Sequence, residues 1–538
     1  MKQGRLVMWA VAASLAGFLF GFDTIVISGA EKAIQDIWKL SGNLHGWAVS
    51  AALWGTVVGA IFGGIPASKF GRRKNLIAVG VLYFVSAIGS GFADEFMGIP
   101  AVWVFFVARF IGGLGVGAAT VVSPMFISEI SPAKNRGKLA GLFQFNIVFG
   151  ILIAFISNWL LGKYISSDVA WRWMLGVEAI PAALYTLWAF SLPESPRWLI
   201  THAKKREEGA KIFKQINPEA SDEEIETLVK DVEETVADTK KTSNFWTPRL
   251  KVPIMMAFLI ALFNQFSGIN IILYFAPRLM GLAGLENALQ ASVALGVTNL
   301  IFTFIGLYLI DKAGRKPLLT IGGIGYVISL GVCAFAFLTT PAFKVAASSQ
   351  DVVAAAGAVN VVAEGKKFFT DADKEQIRQN YAAKQAAFVE ATSVESYKGE
   401  AVVLPEGADT AAVIALADKA KLEAKGLMGM KSTIVLVCLI AFIASHAVGQ
   451  GAVIWVFIAE IFPNDHRAAG TALGSSTHWV CAASLTYLFP VMMAKFDAGI
   501  LFAFFTFCMI LQLVWIKVQV IETKGITLEE IEKKLGII

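Results

Sequence analysis

Twelve stretches of the chain are apolar over about 20 residues or more, the length a helix needs to cross the hydrocarbon core of a bilayer. They fall at about 6–30, 45–67, 75–93, 101–127, 138–162 and 171–192, and again at about 252–280, 288–311, 317–338, 431–459, 467–493 and 498–520. The first runs into a continuing series and carries Asp23, so it reads as a membrane span and not as a cleaved leader. Two polar stretches interrupt the series. Residues 193–251 carry short amphipathic patterns such as KKREEGAKIFKQI and SDEEIETLVKDVEETV, which predict helices lying outside the bilayer. Residues 340–430 are Ala-rich with mixed charge; helices are expected at 371–392 and 409–425, with Asp371 or Asp373 and Asp409 as N-caps. The pattern predicts an all-α membrane protein of twelve transmembrane helices in two six-helix bundles. One bundle covers 1–192 and the other 252–538, joined by a helical linker at 193–251, with an insertion at about 340–430 and a tail from about 521.

Composition agrees. Of 538 residues, 56% are hydrophobic and 16% charged, against roughly 25% charge in average soluble domains. A soluble enzyme, a disordered chain and a disulfide scaffold are thereby excluded. The net charge of +5 does not indicate nucleic acid, because the basic residues sit in short clusters between apolar runs. Those clusters set topology: with the N-terminus inside, inner short loops hold 11 Lys/Arg and outer ones 6, so both termini are expected in the cytoplasm. The four cysteines lie in apolar stretches without metal-ligand spacing. No cofactor and no metal is expected, and the water-exposed parts hold no catalytic constellation. The runs GGLGVG (112–117) and GGIG (322–325) lie inside spans with no preceding strand; they read as close helix packing and not as nucleotide loops.

The two halves repeat. FGRRK (70–74) recurs as AGRKP (313–317) at an offset of 243, and SEISPAKNRG (128–137) recurs as AEIFPNDHRAAG (459–470) at an offset of 331. The jump of 88 places an insertion of that size between Lys316 and Ala459, where hydropathy independently puts one. Parallel repeats of this kind are the sequence sign of alternating access around a site between the halves.

Ionisable and amide residues inside apolar spans mark that site. Asp23, Arg109 and Glu178 are each expected about 10–12 Å from the same face, at matched depth in the N-terminal half. An unpaired charge there costs at least ~2.5–3.5 kcal/mol, so such groups persist when paired or hydrated and commonly mark ion pathways. Asp23 is assigned as proton carrier and Arg109 as the group that tunes it. Side-chain amides supply both hydrogen-bond donors and acceptors without a buried charge. Gln144, Asn264, Gln265, Asn270, Asn299 and Gln450 all lie within apolar spans. Gln265 and Asn270 share a face only if the helix breaks between them, and Gly268 permits that.

With GFDTIVISGA (21–30), FGRRK, ARFIGGLGVG (108–117), PESPRWL (193–199), NQFSGIN (264–270), DKAGRK (311–316) and WVFIAEIFPN (455–464), the chain resembles the sugar porter family of the major facilitator superfamily. In these motifs it is close to bacterial proton–xylose symporters and animal glucose facilitators, and the resemblance covers nearly all but 340–430. It implies a monomeric carrier of the bacterial inner membrane whose partners are a small sugar, a proton and the bilayer. The function implied is proton-coupled import of a monosaccharide, with passive facilitation, or sugar sensing without transport, as alternatives. It places Gln144, Gln265, Asn270, Asn299 and Trp479 on sugar contacts, Tyr274 on an outer gate, and Glu178 on a modulating carboxylate. Asp23 stands where proton-coupled members carry Asp and passive facilitators usually carry Asn. A cytoplasmic network of Arg72, Glu129, Arg136, Arg315, Glu460 and Arg467 with Glu194 and Arg197 is expected to bridge the halves when the carrier faces outward and to separate when it faces inward. The chain departs from the xylose symporters at Gln450 (Trp there), His478 (Gln there) and Ile151 (polar there), which leaves hexose, pentose and inositol open. Ser68 and Ile521 replace the usual Asp and Pro of two loop motifs. The family lacks so long an insertion; a passive cap or a periplasmic docking site is expected of it.

Overall fold

The computed structural model describes residues 3–132, 136–238, 244–363, 371–405 and 408–537. The N-terminal half is built from α1 (Gln3–Trp38), α2 (Gly42–Phe62), α3 (Gly64–Phe70), α4 (Arg72–Gly91), α5 (Ala101–Ile130), α6 (Arg136–Tyr164), α7 (Ser167–Gly176) and α8 (Ala179–Ala189). The linker carries α9 (Pro196–Thr201), α10 (Arg206–Ile216) and α11 (Asp222–Asp238). The C-terminal half follows with α12 (Lys251–Phe266), α13 (Ile269–Tyr274), α14 (Ala276–Leu282), α15 (Ala288–Ala313) and α16 (Arg315–Leu338). The insertion forms α17 (Pro341–Ala363), α18 (Asp371–Thr392) and α19 (Thr410–Met428). The chain closes with α20 (Met430–Val448), α21 (Gln450–Glu460), α22 (Arg467–Met493), α23 (Ala498–Val518) and α24 (Leu528–Lys534).

Helices are the required answer in lipid, because a helix satisfies its backbone within its own segment. Among the described residues ten segments are long and apolar enough to span. The other two spans differ for physical reasons. The sixth is interrupted at Val177–Glu178, between α7 and α8. The eleventh, α22, has the length but carries Thr477, His478 and Thr486. Lipid-facing stripes recur at helical spacing: Ile180, Leu184 and Leu187 on α8, and Ile321, Ile328 and Phe335 on α16, are exposed. The glycine run in α5 packs against α2 as expected. A Cβ built at Gly113 would stand 1.9 Å from the Ala52 carbonyl oxygen, and at Gly117 2.4 Å from that of Thr56.

α1 continues to Trp38, eight residues past the expected end, so Asp23 lies ~22 Å along the axis from the end of the helix. The cap also departs from expectation, with three helices where two are expected. Pro341–Ala363 has no clear apolar period but is rich in alanine, the strongest helix former. The cap helices close on Val352, Phe388, Val413 and Ala417, and Lys384 pairs with Asp351 at 2.6 Å. Asp409 caps α19, accepting from the Ala412 N–H at 2.7 Å; the side chains of Asp371 and Asp373 lie outside the described ones. In the linker, Ser221 and Glu224 form a reciprocal capping box at the start of α11 (3.1 and 2.6 Å).

The core is asymmetric along the membrane normal. At the end that carries the cap, one buried apolar cluster runs through both halves, joining Ile25, Val26 and Leu53 to Ile272, Phe275 and Phe489. At the end that carries the basic loops, each half has its own cluster, one around Phe126 and Tyr185 and the other around Ile260 and Phe457.

Candidate functional site

A charged centre lies inside the N-terminal half. Arg109 Nη1 donates to Asp23 Oδ1 at 2.7 Å, and Nη2 donates to the Asp23 backbone carbonyl at 3.0 Å. Both side chains are buried (1% and 0% exposed). Glu178, at the α7–α8 interruption, is also fully buried and lies within electrostatic reach of Asp23 and Arg109. Neither oxygen of Glu178 nor Asp23 Oδ2 has a hydrogen-bond partner among the described residues. The three residues expected at matched depth are thus brought together. Two more polar groups join them: the hydroxyls of Tyr83 (α4) and Tyr185 (α8), both buried and unpartnered among the described residues. Sequence reasoning missed these tyrosines; the available signal was a hydroxyl inside an otherwise apolar span.

An amide chain lies inside the C-terminal half. Gly268 has φ +84°, the left-handed conformation that favours glycine, and it separates α12 from α13. Across this break Asn270 Nδ2 donates to Gln265 Oε1 at 2.8 Å. Gln265 Nε2 donates to Asn264 Oδ1 at 3.0 Å and lies 3.1 Å from His478 Nε2. Asn264 Nδ2 reaches Gln450 Oε1 at 3.5 Å, while Gln450 Nε2 is buried with no partner among the described residues. Trp479 stands edge-on to His478 (4.8 Å between centroids) and 5.7 Å from Phe20 of the other half. Gln450 stands immediately after a second break, at Gly449, which sequence reasoning did not anticipate. Gln144 (α6) and Asn299 (α15) are not joined to this chain by any hydrogen bond among the described residues. Tyr274 (α13) is buried, its hydroxyl without a partner among the described residues, and lies within electrostatic reach of Asp23 and Arg109, connecting the amide half to the charged one.

The residues expected to form the cytoplasmic network pair here within each half. Arg72 closes a two-pronged pair with Glu129 (2.8 and 2.9 Å), and Arg315 does the same with Glu460 (2.6 and 3.0 Å). Both pairs lie within a half and neither bridges the halves. Glu194 accepts from the backbone N–H groups of Arg72 and Arg73 (2.7 and 3.1 Å). Glu522, which sequence reasoning missed, repeats this role on Arg315 and Lys316 (both 3.0 Å). Gly71 (φ +94°) and Gly314 (φ +96°) leave room for these carboxylates; a built Cβ would stand 2.2 and 2.6 Å from them. Burial alone would raise the Glu522 carboxyl, but four backbone N–H donors (Lys524, Arg315, Lys316 and Thr523) hold it below its ordinary range. Arg467 Nε is buried without a partner among the described residues, Arg197 makes no described ion pair, and the Arg136 side chain lies outside those described.

Charge bridging between halves occurs instead at the cap end. Arg278 (α14) donates to both oxygens of Glu31 (α1) at 2.9 and 2.7 Å, and to Gln35 Oε1 at 2.6 Å. His45 Nε2 (α2) lies 3.0 Å from Glu31, which is 1% exposed. Nearby, Tyr487 Oη donates to Asn43 Oδ1 at 3.1 Å, again from one half to the other. Beneath the cap is a cavity of about 1630 Å³, walled by the outer ends of α1 and α14 and by the cap helices.

Comparison with known proteins agrees with this architecture. The family profile "Sugar (and other) transporter" matches residues 9–363 and 410–535. A glucose transport protein of Synechocystis sp. is 30% identical over 534 residues, covering 96% of this chain and 95% of its own length. The D-xylose-proton symporter of Escherichia coli is 28% identical, with 97% and 94% covered. Among solved structures, the partially occluded inward open conformation of the xylose transporter XylE from E. coli superimposes with a TM-score of 0.71 at 26% identity, covering 97% of this chain and 99% of that one. XylE bound to 6-bromo-6-deoxy-D-glucose gives 0.65 at 27% identity, covering 99% and 100%. This chain therefore belongs to the sugar transporter family and is a multi-pass membrane protein of the major facilitator fold.

Proposed function

We propose that the chain imports a monosaccharide together with protons, by alternating access, across the bacterial inner membrane with both termini in the cytoplasm. The observation that carries this reading is the buried Asp23–Arg109 pair with Glu178 beside it, set against a neutral amide chain in the opposite half. Two buried carboxyl groups thus share one guanidinium. Asp23 is the proton carrier. Arg109, paired with it at 2.7 Å and always charged, is the group that tunes its proton exchange. Gln265, Asn270, Asn264 and Gln450 supply neutral hydrogen bonds to sugar hydroxyls, with Gln144 and Asn299 on the facing helices and Trp479 as the ring platform. His478 in contact with Gln265 gives this site a hydrogen-bond pattern of its own.

We read the conformation as inward-facing. The halves share one apolar core and the Glu31–Arg278 pair at the cap end, and have separate apolar cores at the basic end. The TM-score of 0.71 against the two inward open structures of XylE supports the same reading. The cytoplasmic pairs then act as clasps that keep each half rigid as it rocks.

The test is uptake into proteoliposomes across a panel of pentoses, hexoses and inositol, with and without an inward proton gradient. Wild type should accumulate one class of sugar only when the gradient is present. Asp23→Asn should lose accumulation and keep counterflow exchange. Gradient-driven accumulation by Asp23→Asn would remove Asp23 as the carrier, and gradient-independent uptake by wild type would leave a passive facilitator.

A further inference from the structure

Behind the amide chain lies a pair, one partner buried and the other half-buried, that the transport scheme does not use. Tyr326 on α16 and His446 on α20 are joined by a hydrogen bond of 2.7 Å between Oη and Nδ1. Tyr326 is fully buried, and the pair stands one turn before the break that separates α20 from α21.

The break has an unusual setting. Gly449 has φ −86° and ψ −100°, and its N–H bonds back to the Ser445 carbonyl (3.0 Å). α16 is pressed against this point. A Cβ built on Gly322 would stand 2.8 Å from the Gly449 Cα, and one built on Gly449 would stand 2.9 Å from the Gly322 Cα. Tyr326 is one turn along from Gly322, and His446 is three residues before Gly449, so their hydrogen bond spans the same crossing. Beyond the break the His446 ring covers Gly451, where a built Cβ would meet Cδ2 at 3.3 Å. The ring thus occupies the space a side chain at 451 would need, immediately after Gln450, while its Nδ1 is tied to the neighbouring helix. Gln450 is itself fully buried, with one end of its amide toward Asn264 and the other unpartnered among the described residues.

We infer that Tyr326 and His446 are positioning residues for the sugar site: their hydrogen bond fixes the break in the tenth span and thereby where the Gln450 amide stands. Neither side chain touches the sugar. Losing the bond lets the first turn of α21 shift, and a misplaced Gln450 selects differently among hydroxyl patterns. A buried amide left unpaired is what discriminates one hydroxyl pattern from another. The inference rests on the reading of the chain as a sugar carrier.

The test compares His446→Phe and Tyr326→Phe, which keep ring volume and remove the bond, with His446→Asn, whose amide can donate or accept near the place of Nδ1. Counterflow in proteoliposomes reads KM and maximal rate for each sugar that wild type moves. The expected result is a KM raised about two- to tenfold, the worth of one hydrogen bond, with little change in maximal rate. The order of preference among sugars should change, the double Phe variant should be no worse than either single one, and His446→Asn should recover much of the loss. A folded His446→Phe with wild-type KM and wild-type sugar ranking would overturn the inference, as would equal losses in KM and rate that His446→Asn does not relieve. If His446→Phe yields no folded protein, Tyr326→Phe carries the same comparison. If wild type moves no sugar of the panel, the carrier reading fails separately. Sugar-dependent quenching of tryptophan fluorescence then reads the same shift as a change in Kd, and an unchanged Kd in both Phe variants overturns the positioning role.

Discussion

Glu522 shows how much of the site depends on single residues that carry no obvious signature. It is one carboxylate accepting four backbone N–H groups at the start of the tail. Its partner in the other half, Glu194, was legible because PESPRWL is a motif. IETKG hid the same chemistry, since a lone Glu after an apolar span reads as solvated surface. The contribution of Glu522 follows from its lowered carboxyl. Stability from such a group is present above the unfolded value near 4.3 and is lost as pH falls through the folded one. The melting temperature of detergent-solubilised wild type should therefore fall from pH 5 to pH 3 more steeply than that of Glu522→Gln, which is lower at pH 7 and has less to lose. Parallel curves would show that Glu522 does not clasp the loop. Asp23, Arg109, Glu178 and the amides were readable for the opposite reason: in a span, polarity is expensive and so conspicuous. Tyr83 and Tyr185 escaped because a tyrosine in a span is mostly apolar surface.

At the level of elements, the spacing of apolar residues located the spans but not their interruptions. Gly268 announced one break because two amides needed a common face. The break at Gly449 and the interruption at Glu178 had no comparable demand in the sequence. The reach of α1 was also underestimated: Glu31, Gln35 and Asp36 made its last turns look like loop, yet Glu31 and Gln35 are the surface on which Arg278 docks. Truncating one partner of a buried ion pair typically costs ~3–5 kcal/mol, because the other charge is left uncompensated. Arg278→Ala should accordingly shift the population toward an outward-open state. A Ser50→Cys probe, fully buried one turn along from Gly46 at the α2–α22 contact, should then react faster with an impermeant maleimide applied from the cap side. Unchanged reactivity would mean that the apolar core alone holds this end shut.

For the whole molecule, two six-helix halves and the 88-residue insertion were recoverable from repeats and hydropathy together, since offsets between matched motifs count residues without reference to structure. Which end of the molecule is closed was not recoverable, because a sequence serves every state of the cycle. The cap leaves and re-enters the half through helix ends that lie side by side, with Lys431 Nζ donating to Thr340 Oγ1 at 2.9 Å. Replacing 345–425 with a short Gly-Ser linker should therefore leave counterflow and KM close to wild type while lowering the melting temperature. Loss of transport by a folded deletion would assign the cap a part in sugar entry.

That both strands of the insertion emerge from one half has a practical result: the cap is a pointer fixed to a single moving body. Val403 at its surface is 82% exposed, and Met97, in the loop between α4 and α5 of the other body, is 87% exposed. A donor dye on Val403→Cys and an acceptor on Met97→Cys, in a background without the native cysteines, would convert each rocking event into a step in energy transfer. Added sugar and a proton gradient should redistribute the dwell times of single molecules between two efficiencies, and one unvarying efficiency would mean that the two bodies do not rock.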